Sequence, residues 1–259
     1  MPEQWFGLII IGIIAGVASG MFGIGGGVII VPALILFLGF TQLGANGTSL
    51  AALLMPVSIF AVVAYYRAGM LKLSVAFWIA IGLLIGGYLG GILANDLPAD
   101  ILKKLYGVFL LYMAWRFAEP RKWFAEWRGN GAPKSPESGE GEIIWYVILI
   151  VGFVAGIMAG LFGIGGGAII VPALVTLLHF DQKRAVGTSL AALLIPNIPV
   201  LIPYYVNGNL NFGTALFVAL GLIGGAFAGA KIALSLPSAT VKRLYGLFLL
   251  FIGLRFIFF

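Results

Sequence analysis

The sequence predicts an all-α polytopic membrane protein built from two inverted-topology repeats of about five helical segments each. Short helices broken by glycine are expected near the centre of each repeat. Three observations lead to this fold class: the apolar composition, an internal duplication and the one-sided distribution of the basic residues.

The composition defines the class of protein. Hydrophobic residues make up 61% of the 259 residues and charged residues only 9%, whereas a soluble domain is about one quarter charged. A chain this apolar has too few polar residues for a surface in contact with water. Its outer surface is therefore expected to face lipid. The chain has no cysteine and one histidine, which argues against thiol chemistry and a zinc site. We therefore expect neither a metal nor a cofactor.

The chain contains two copies of one unit. Residues 20–32 read GMFGIGGGVIIVP and residues 160–172 read GLFGIGGGAIIVP, with 11 of 13 positions identical. Residues 47–54 and 187–194 both read GTSLAALL. The copies are offset by 140 residues at these blocks and by 139 residues further along. Self-similarity of this kind indicates a duplicated architecture.

A polar stretch separates the two copies. Residues 129–142 read GNGAPKSPESGEGE and have almost nothing to bury, which favours a flexible linker outside the membrane. We therefore divide the chain into a first transmembrane repeat (1–120), a linker (121–142) and a second transmembrane repeat (143–259).

Each repeat contains five apolar segments. The third and fourth are long enough to cross about 30 Å of hydrocarbon. The second is too short to cross alone as a helix, follows directly on a run of glycines, and is compatible with a full crossing or with a re-entrant turn. The segments are 5–22, 27–38, 44–66, 73–95 and 99–118, then 143–162, 167–179, 184–206, 212–234 and 238–258.

The number of crossings decides how the repeats are oriented. Five crossings per repeat invert the second repeat, whereas a broken crossing made of the first two segments leaves the repeats parallel. Basic residues mark the cytoplasmic side of membrane proteins. Five crossings divide the 15 basic residues 12 to 3, and four crossings divide them 8 to 7. We therefore predict inverted repeats, with both termini outside and the linker in the cytoplasm. The 12 cytoplasmic residues are Arg67, Lys72, Arg116, Arg121, Lys122, Arg128, Lys134, Lys183, Arg184, Lys231, Lys242 and Arg243.

The two glycine runs are the first candidates for a substrate site. Glycine lets the backbone leave helical geometry, and irregular backbone within a membrane lies in protein or lines a wet cavity. Each run precedes a short helix, whose first N–H groups and positive dipole end suit an anion. The alternative is close helix packing. The candidate residues are Gly25, Gly26, Gly27, Gly165, Gly166 and Gly167.

Hydroxyl and amide side chains form a second set of candidates. Thr48 and Ser49, with their copies Thr188 and Ser189, could donate hydroxyls to an oxyanion or could cap a helix start. Asn46 and Asn197 are also candidates. Val186 and Val57 stand at the corresponding places of the other repeat, so the site is expected to be asymmetric.

Aromatic and basic residues provide gate candidates after the proline kinks expected at Pro56 and Pro196. Tyr65 and Tyr66 stand at the same place in the first repeat as Tyr204 and Tyr205 in the second, and Arg67 follows only in the first. The alternatives are membrane-interface aromatics for the tyrosines and a topology signal for the arginine.

The acidic residues restrict the substrate. All nine fall in loops or at segment ends, whereas proton pumps and sodium symporters commonly place a carboxylate within the membrane. An anionic or neutral substrate is therefore expected. If protons are coupled, the substrate itself or His179 would carry them.

The duplicated pattern G-x-G-G-G-x-x-x-V-P, at 23–32 and 163–172, is followed in both copies by Gly-Thr-Ser. This combination resembles the TauE/SafE sulfite exporter family over essentially the whole chain. The resemblance implies a permease of the bacterial or archaeal cytoplasmic membrane. It would move sulfite, organosulfonates or related small anions, usually outward.

Glycine-broken segments at matching places of inverted repeats are typical of secondary transporters that work by alternating access. A transporter of a small anion is therefore the main functional hypothesis. An anion channel is the nearest alternative. A serine hydrolase would need a base near Ser49 or Ser189, and the first copy has no histidine, so we do not expect an enzyme. An assembly factor would leave the duplicated glycine runs unexplained.

Overall fold

The computed structural model describes residues 2–55, 57–118, 145–194 and 198–236, together with Leu250 and Leu254. The described part of the first repeat contains six helices: α1 (Pro2–Phe22), α2 (Gly27–Leu38), α3 (Gln42–Leu54), α4 (Ile59–Arg67), α5 (Leu73–Asp96) and α6 (Ala99–Ala118). The second contains α7 (Trp145–Phe162), α8 (Gly167–Leu177), α9 (Gln182–Leu193), α10 (Ile198–Val206) and α11 (Phe212–Ser235). The linker and most of the last predicted segment lie outside the described residues.

Four of these helices, α1, α5, α7 and α11, are long and apolar enough to cross a membrane. The third predicted segment of each repeat is a bent pair: α3 meets α4 at 52°, and α9 meets α10 at 56°. Counting each bent pair as one span gives up to six crossings among the described helices. The prolines expected to cause these bends, Pro56 and Pro196, lie outside the described residues.

The outer surface is apolar. Large hydrophobic side chains such as Phe6, Phe37 and Val206 are 68%, 78% and 75% exposed. They recur along every long described helix, far beyond the scattered apolar residues of a soluble protein surface. This surface fits lipid, and the chain is a multi-pass all-α membrane protein.

Helices of one repeat pack on helices of the other. The first helix, α1, runs along α11, and α7 runs along α5. Each of the four helices carries glycine at every fourth position, where a Cβ atom would overlap the backbone of the partner helix. Small residues at this spacing let membrane helices approach closely. The glycines are Gly12, Gly16 and Gly20 facing Gly221, Gly225 and Gly229, and Gly82, Gly86 and Gly90 facing Gly152, Gly156 and Gly160.

The loop contacts show that the repeats are inverted. The loop that leads into α5 binds the second repeat, because the Lys72 backbone N–H donates to Thr188 Oγ1 (3.1 Å). Its copy in the second repeat reaches the far end of α5, where Asn209 Nδ2 donates to Asn95 Oδ1 (2.9 Å). The ends of this 24-residue helix are about 36 Å apart. Equivalent loops therefore lie at opposite ends of the molecule, as the distribution of basic residues predicts.

Candidate functional site

Each glycine run forms a tight turn between two helices. Gly23, Gly25 and Gly26 have φ angles of +71°, +83° and +81°, and the equivalent glycines of the second repeat have +70°, +78° and +80°. Glycine adopts this left-handed region without the steric cost that a Cβ atom brings. The helices α1 and α2 thus form one hairpin and α7 and α8 another, and we call the turns 23–27 and 163–167 the hairpin tips.

The hairpin tips leave helix-start N–H groups near the centre of the molecule. Gly26 is the N-cap of α2, and its carbonyl accepts the backbone N–H groups of Ile29 and Ile30. These are the first donors of α2 that find a backbone acceptor in the described part of the chain. The preceding N–H groups and the helix dipole give this end a partial positive charge. The start of α8 after Gly166 has the same geometry.

The two tips pack against each other. A Cβ atom on Gly27 would overlap the Gly163 carbonyl oxygen, and one on Gly167 would overlap the Gly23 carbonyl oxygen. Between these contacts, a Cβ atom on Gly25 would lie 3.6 Å from the Gly165 Cα atom. The runs therefore serve close packing of backbone on backbone, and they also place two helix starts side by side.

The predicted serine candidates bind the tips of the opposite repeat. Ser49 Oγ donates to the Gly163 carbonyl oxygen and Ser189 Oγ donates to the Gly23 carbonyl oxygen, each at 2.8 Å. Both serines are fully buried. Their hydroxyls hold the tips in place, and contact with substrate stays a prediction.

The threonines bind loops instead of capping helices. Thr48 Oγ1 accepts the Asn211 backbone N–H at 3.2 Å, the inverse copy of the bond between Lys72 and Thr188. The capping alternative was wrong for these residues, because the Thr-Ser pairs lie within α3 and α9. The N-caps are Thr41 and Asp181, whose side chains accept backbone N–H groups of the first helical turn.

Asn46 breaks the symmetry of the repeats. Its Nδ2 donates to the Leu161 carbonyl oxygen at 2.8 Å, and its Oδ1 accepts from Gln42 Nε2 at 3.0 Å. The corresponding Val186 is buried and forms no such bridge. Asn46 thus fixes one hairpin more firmly than the other, while Asn197 lies outside the described residues.

A small cavity lies where the tips and the helix bends converge. Its volume is about 30 Å³, room for about two water molecules. Its walls are mostly leucines of α3, α5 and α9. The polar part of the lining consists of Ser19, Ser58 and the backbone of Gly25 and Gly165.

Sequence reasoning missed Ser19 and Ser58. They are 3% and 6% exposed, and neither hydroxyl has a hydrogen-bond partner in the described part of the chain. Ser19 stands in the last turn of α1. Ser58 is the N-cap of α4 but makes no capping bond. The available signal was position, since one serine precedes a glycine run and the other lies two residues after Pro56, at the helix bend.

The gate candidates divide into two pairs. Tyr65 and Tyr204 are fully buried, and their hydroxyls donate to the carbonyl oxygens of Gly20 and Gly160, just before the tips. Tyr66 and Tyr205 are 63% and 66% exposed on the outer surface, as membrane-interface aromatics would be. Arg67 is exposed at the end of α4, outside the cavity.

His179 also lies outside the cavity. It is exposed in the loop between α8 and α9, with a φ of +53° where the first repeat has Gly39 at +66°. It lines a separate surface pocket with Asp181 and Arg184. The histidine therefore has no direct contact with the converging tips.

Inverted repeats with paired hairpin tips around a central cavity define a polytopic membrane transporter of the inverted-repeat class. The chain belongs to the sulfite exporter TauE/SafE family, whose sequence profile matches residues 8–256. No solved structure matches the chain.

Relatives of this chain carry transporter names. It is 28% identical to the probable membrane transporter protein YunE of Bacillus subtilis over 266 residues, covering 97% of this chain and 96% of that protein. It is 29% identical over 240 residues to a probable membrane transporter protein of Methanocaldococcus jannaschii, covering 87% and 85%. These similarities extend over both repeats and support transport as the common activity.

Proposed function

We propose that this protein is a secondary transporter that exports sulfite, organosulfonates or related small sulfur-containing anions by alternating access. The observation that carries the proposal is the central cavity, where both hairpin tips and both helix bends meet. Two helix starts beside it supply N–H groups and partial positive charge. Membership of a sulfite exporter family supports the same class of substrate.

Alternating access requires the cavity to open to each side in turn. The cavity has room for about two water molecules and is lined largely by leucine side chains, so we expect its walls to separate for substrate to enter. The bends between α3 and α4 and between α9 and α10 border the cavity at equivalent places of the inverted repeats. Movement at one bend would open one side, and movement at the other would open the opposite side.

We also propose an orientation in the cytoplasmic membrane of a prokaryote. The inverted arrangement supports the 12 to 3 division of basic residues, which favours external termini and a cytoplasmic linker at 121–142. Export then runs from the end of the molecule that carries Lys72 and Lys183 to the end that carries Asn95 and Asn209.

The proposal is tested with purified protein in liposomes loaded with sulfite. We expect sulfite efflux above that of sulfite-loaded liposomes without the protein. We also expect faster efflux when sulfite is present outside, because a carrier exchanges substrate. A channel would show flux that does not respond to external substrate. Flux of cations alone, or of no solute from a folded protein, would contradict the proposal.

A matched pair of variants locates the pathway. Ala80→Leu adds bulk to the cavity wall, whereas Ala68→Leu adds the same bulk at an exposed loop. We expect Ala80→Leu to reduce sulfite exchange about tenfold or more while Ala68→Leu remains near wild type. Equal exchange by both variants, with unchanged melting temperatures, would place the pathway elsewhere.

A further inference from the structure

The described residues that line the cavity carry no charged side chain. Each of them is apolar, glycine or serine. The residues of the helix bends outside the described part of the chain are Pro56, Ile195, Pro196 and Asn197, which are also uncharged. An anion in this cavity therefore has only neutral hydrogen-bond donors and helix dipoles to replace its hydration.

The helix dipoles offer a limited charge. The start of an α-helix is equivalent to roughly +0.5 elementary charge. Two helices, α2 and α8, begin beside the cavity, two residues after the cavity-lining glycines Gly25 and Gly165. Together they provide about one positive charge, which balances one negative charge and leaves a second one uncompensated.

The hydroxyl donors come from the first repeat alone. Ser19 corresponds to Ala159 in the second repeat. Ser58 is one of two residues between Pro56 and the start of α4. In the second repeat only Asn197 stands between Pro196 and the start of α10, so that repeat has no serine at this place. Both serines are more than nine-tenths buried, face the cavity and lack a partner in the described part of the chain.

We propose that the transported species is a monoanion with a sulfonate-like XO₃ group, and that Ser19 and Ser58 donate hydrogen bonds to its oxygens. Dianions such as sulfate are excluded, because the cost of transferring an ion from water rises with the square of its charge and the described lining holds no cation to offset it. This inference rests on the proposed transport function and specifies the charge state of its substrate.

No titratable side chain of the described residues lines the cavity. Tyr65 and Tyr204 pack behind the tips, and their hydroxyls donate to the backbone at Gly20 and Gly160. The pH dependence of transport should therefore come from the substrate. Sulfite interconverts between hydrogensulfite, a monoanion, and the dianion near neutral pH, whereas methanesulfonate remains a monoanion.

The first test compares methanesulfonate with sulfate in liposomes that contain the full-length protein. The two ions are similar in shape, and a methyl group in one replaces a charged oxygen in the other. We expect sulfate exchange at least about tenfold slower than methanesulfonate exchange. We also expect methanesulfonate exchange to be constant across neutral pH and sulfite exchange to rise as pH falls, following the hydrogensulfite fraction.

The second test assigns the serines. Loss of a hydrogen bond to a charged group corresponds to about tenfold in KM or more, so we expect that increase for methanesulfonate in Ser19→Ala and in Ser58→Ala. Ser58→Thr should restore much of the loss because it keeps the hydroxyl. Ser235→Ala, at an exposed position near the end of α11, is the control and should leave KM unchanged.

The outcomes separate this inference from the proposed function. Sulfate exchange as fast as methanesulfonate exchange, or wild-type KM in both alanine variants, would overturn the inference and leave an anion carrier. A wild-type protein that moves neither sulfite nor methanesulfonate would overturn the proposed function, and the inference with it.

Discussion

Ser49 and Ser189 illustrate how one side chain can appear to belong to a site and still have a structural partner. Each hydroxyl donates to a carbonyl oxygen in the tip of the opposite repeat. Those carbonyls lie in buried left-handed turns. Without the serine hydroxyl, the carbonyl oxygen would have neither a protein donor nor water to bind. The bonds therefore join the two repeats at their centre.

Ser189→Ala is expected to destabilise the protein more than it impairs binding. The variant leaves the Gly23 carbonyl oxygen unsatisfied, at a cost of about 1–3 kcal/mol. Thermal unfolding in detergent should show a lower melting temperature, while the KM for sulfite stays near the wild-type value. Ser235→Ala serves as the exposed control. An unchanged melting temperature together with a tenfold higher KM would instead make Ser189 a substrate ligand.

Residue roles were only partly predictable from the sequence. The glycine runs were identified because four glycines in five residues have few uses inside a membrane. The unpartnered hydroxyls of Ser19 and Ser58 were not, since a single serine in an apolar segment resembles any other. Hydropathy identifies the residues that contact lipid, but it does not identify the residue at which a helix begins. Thr41 and Asp181 were therefore overlooked as N-caps.

At the scale of the elements, four glycine-striped helices form two tight pairs. Each pair joins the repeats, since α1 belongs to the first and α11 to the second, and α5 to the first and α7 to the second. The glycines allow the backbones to approach so closely that a methyl group would overlap a partner carbonyl. These pairs are suited to act as rigid supports beside the bent helices.

Two adjacent glycines of α11 offer a matched test of this packing. A Cβ atom on Gly225 would overlap the Ile13 carbonyl oxygen, whereas one on Gly224 would meet nothing within 4 Å. We expect Gly225→Ala to lower the melting temperature in detergent. Gly224→Ala should be neutral or slightly stabilising, because alanine is favoured over glycine in a helix by up to about 1 kcal/mol. Equal melting temperatures would mean that the α1 and α11 backbones are not in contact.

The elements themselves were largely predictable, but their partners were not. Segments 27–38 and 167–179 were predicted as short helices after the glycine runs, and α2 and α8 begin at Gly27 and Gly167 as expected. All four striped helices carry glycine at the same spacing, so the stripes do not specify which helix pairs with which. That choice depends on contacts between residues more than 60 positions apart.

At the scale of the whole molecule, duplication and inversion produce one centre from two equivalent halves. The pairs of bonds made by Ser49 and Ser189, and by Thr48 and Thr188, are related by the same two-fold operation. The asymmetric residues Asn46, Ser19 and Ser58 lie in the first repeat, whereas Asn197 of the second repeat lies outside the described residues. The symmetric helix bends thus provide two equivalent places where the cavity can open. The asymmetric residues supply the hydroxyl and amide groups at the centre.

The inverted arrangement predicts which loops share a side of the membrane, and the absence of native cysteine allows single cysteines to test it. Four exposed loop positions are suitable: Thr41, Ala68, His179 and Asn207. In intact cells, an impermeant maleimide should label Thr41→Cys and Asn207→Cys. Ala68→Cys and His179→Cys should react only after permeabilisation, which also serves as the control for expression.

Parallel repeats would instead place Ala68 with Asn207 and Thr41 with His179, because equivalent loops would then lie on the same side. Labelling of all four positions in the opposite sense would keep the inversion and reverse the proposed orientation.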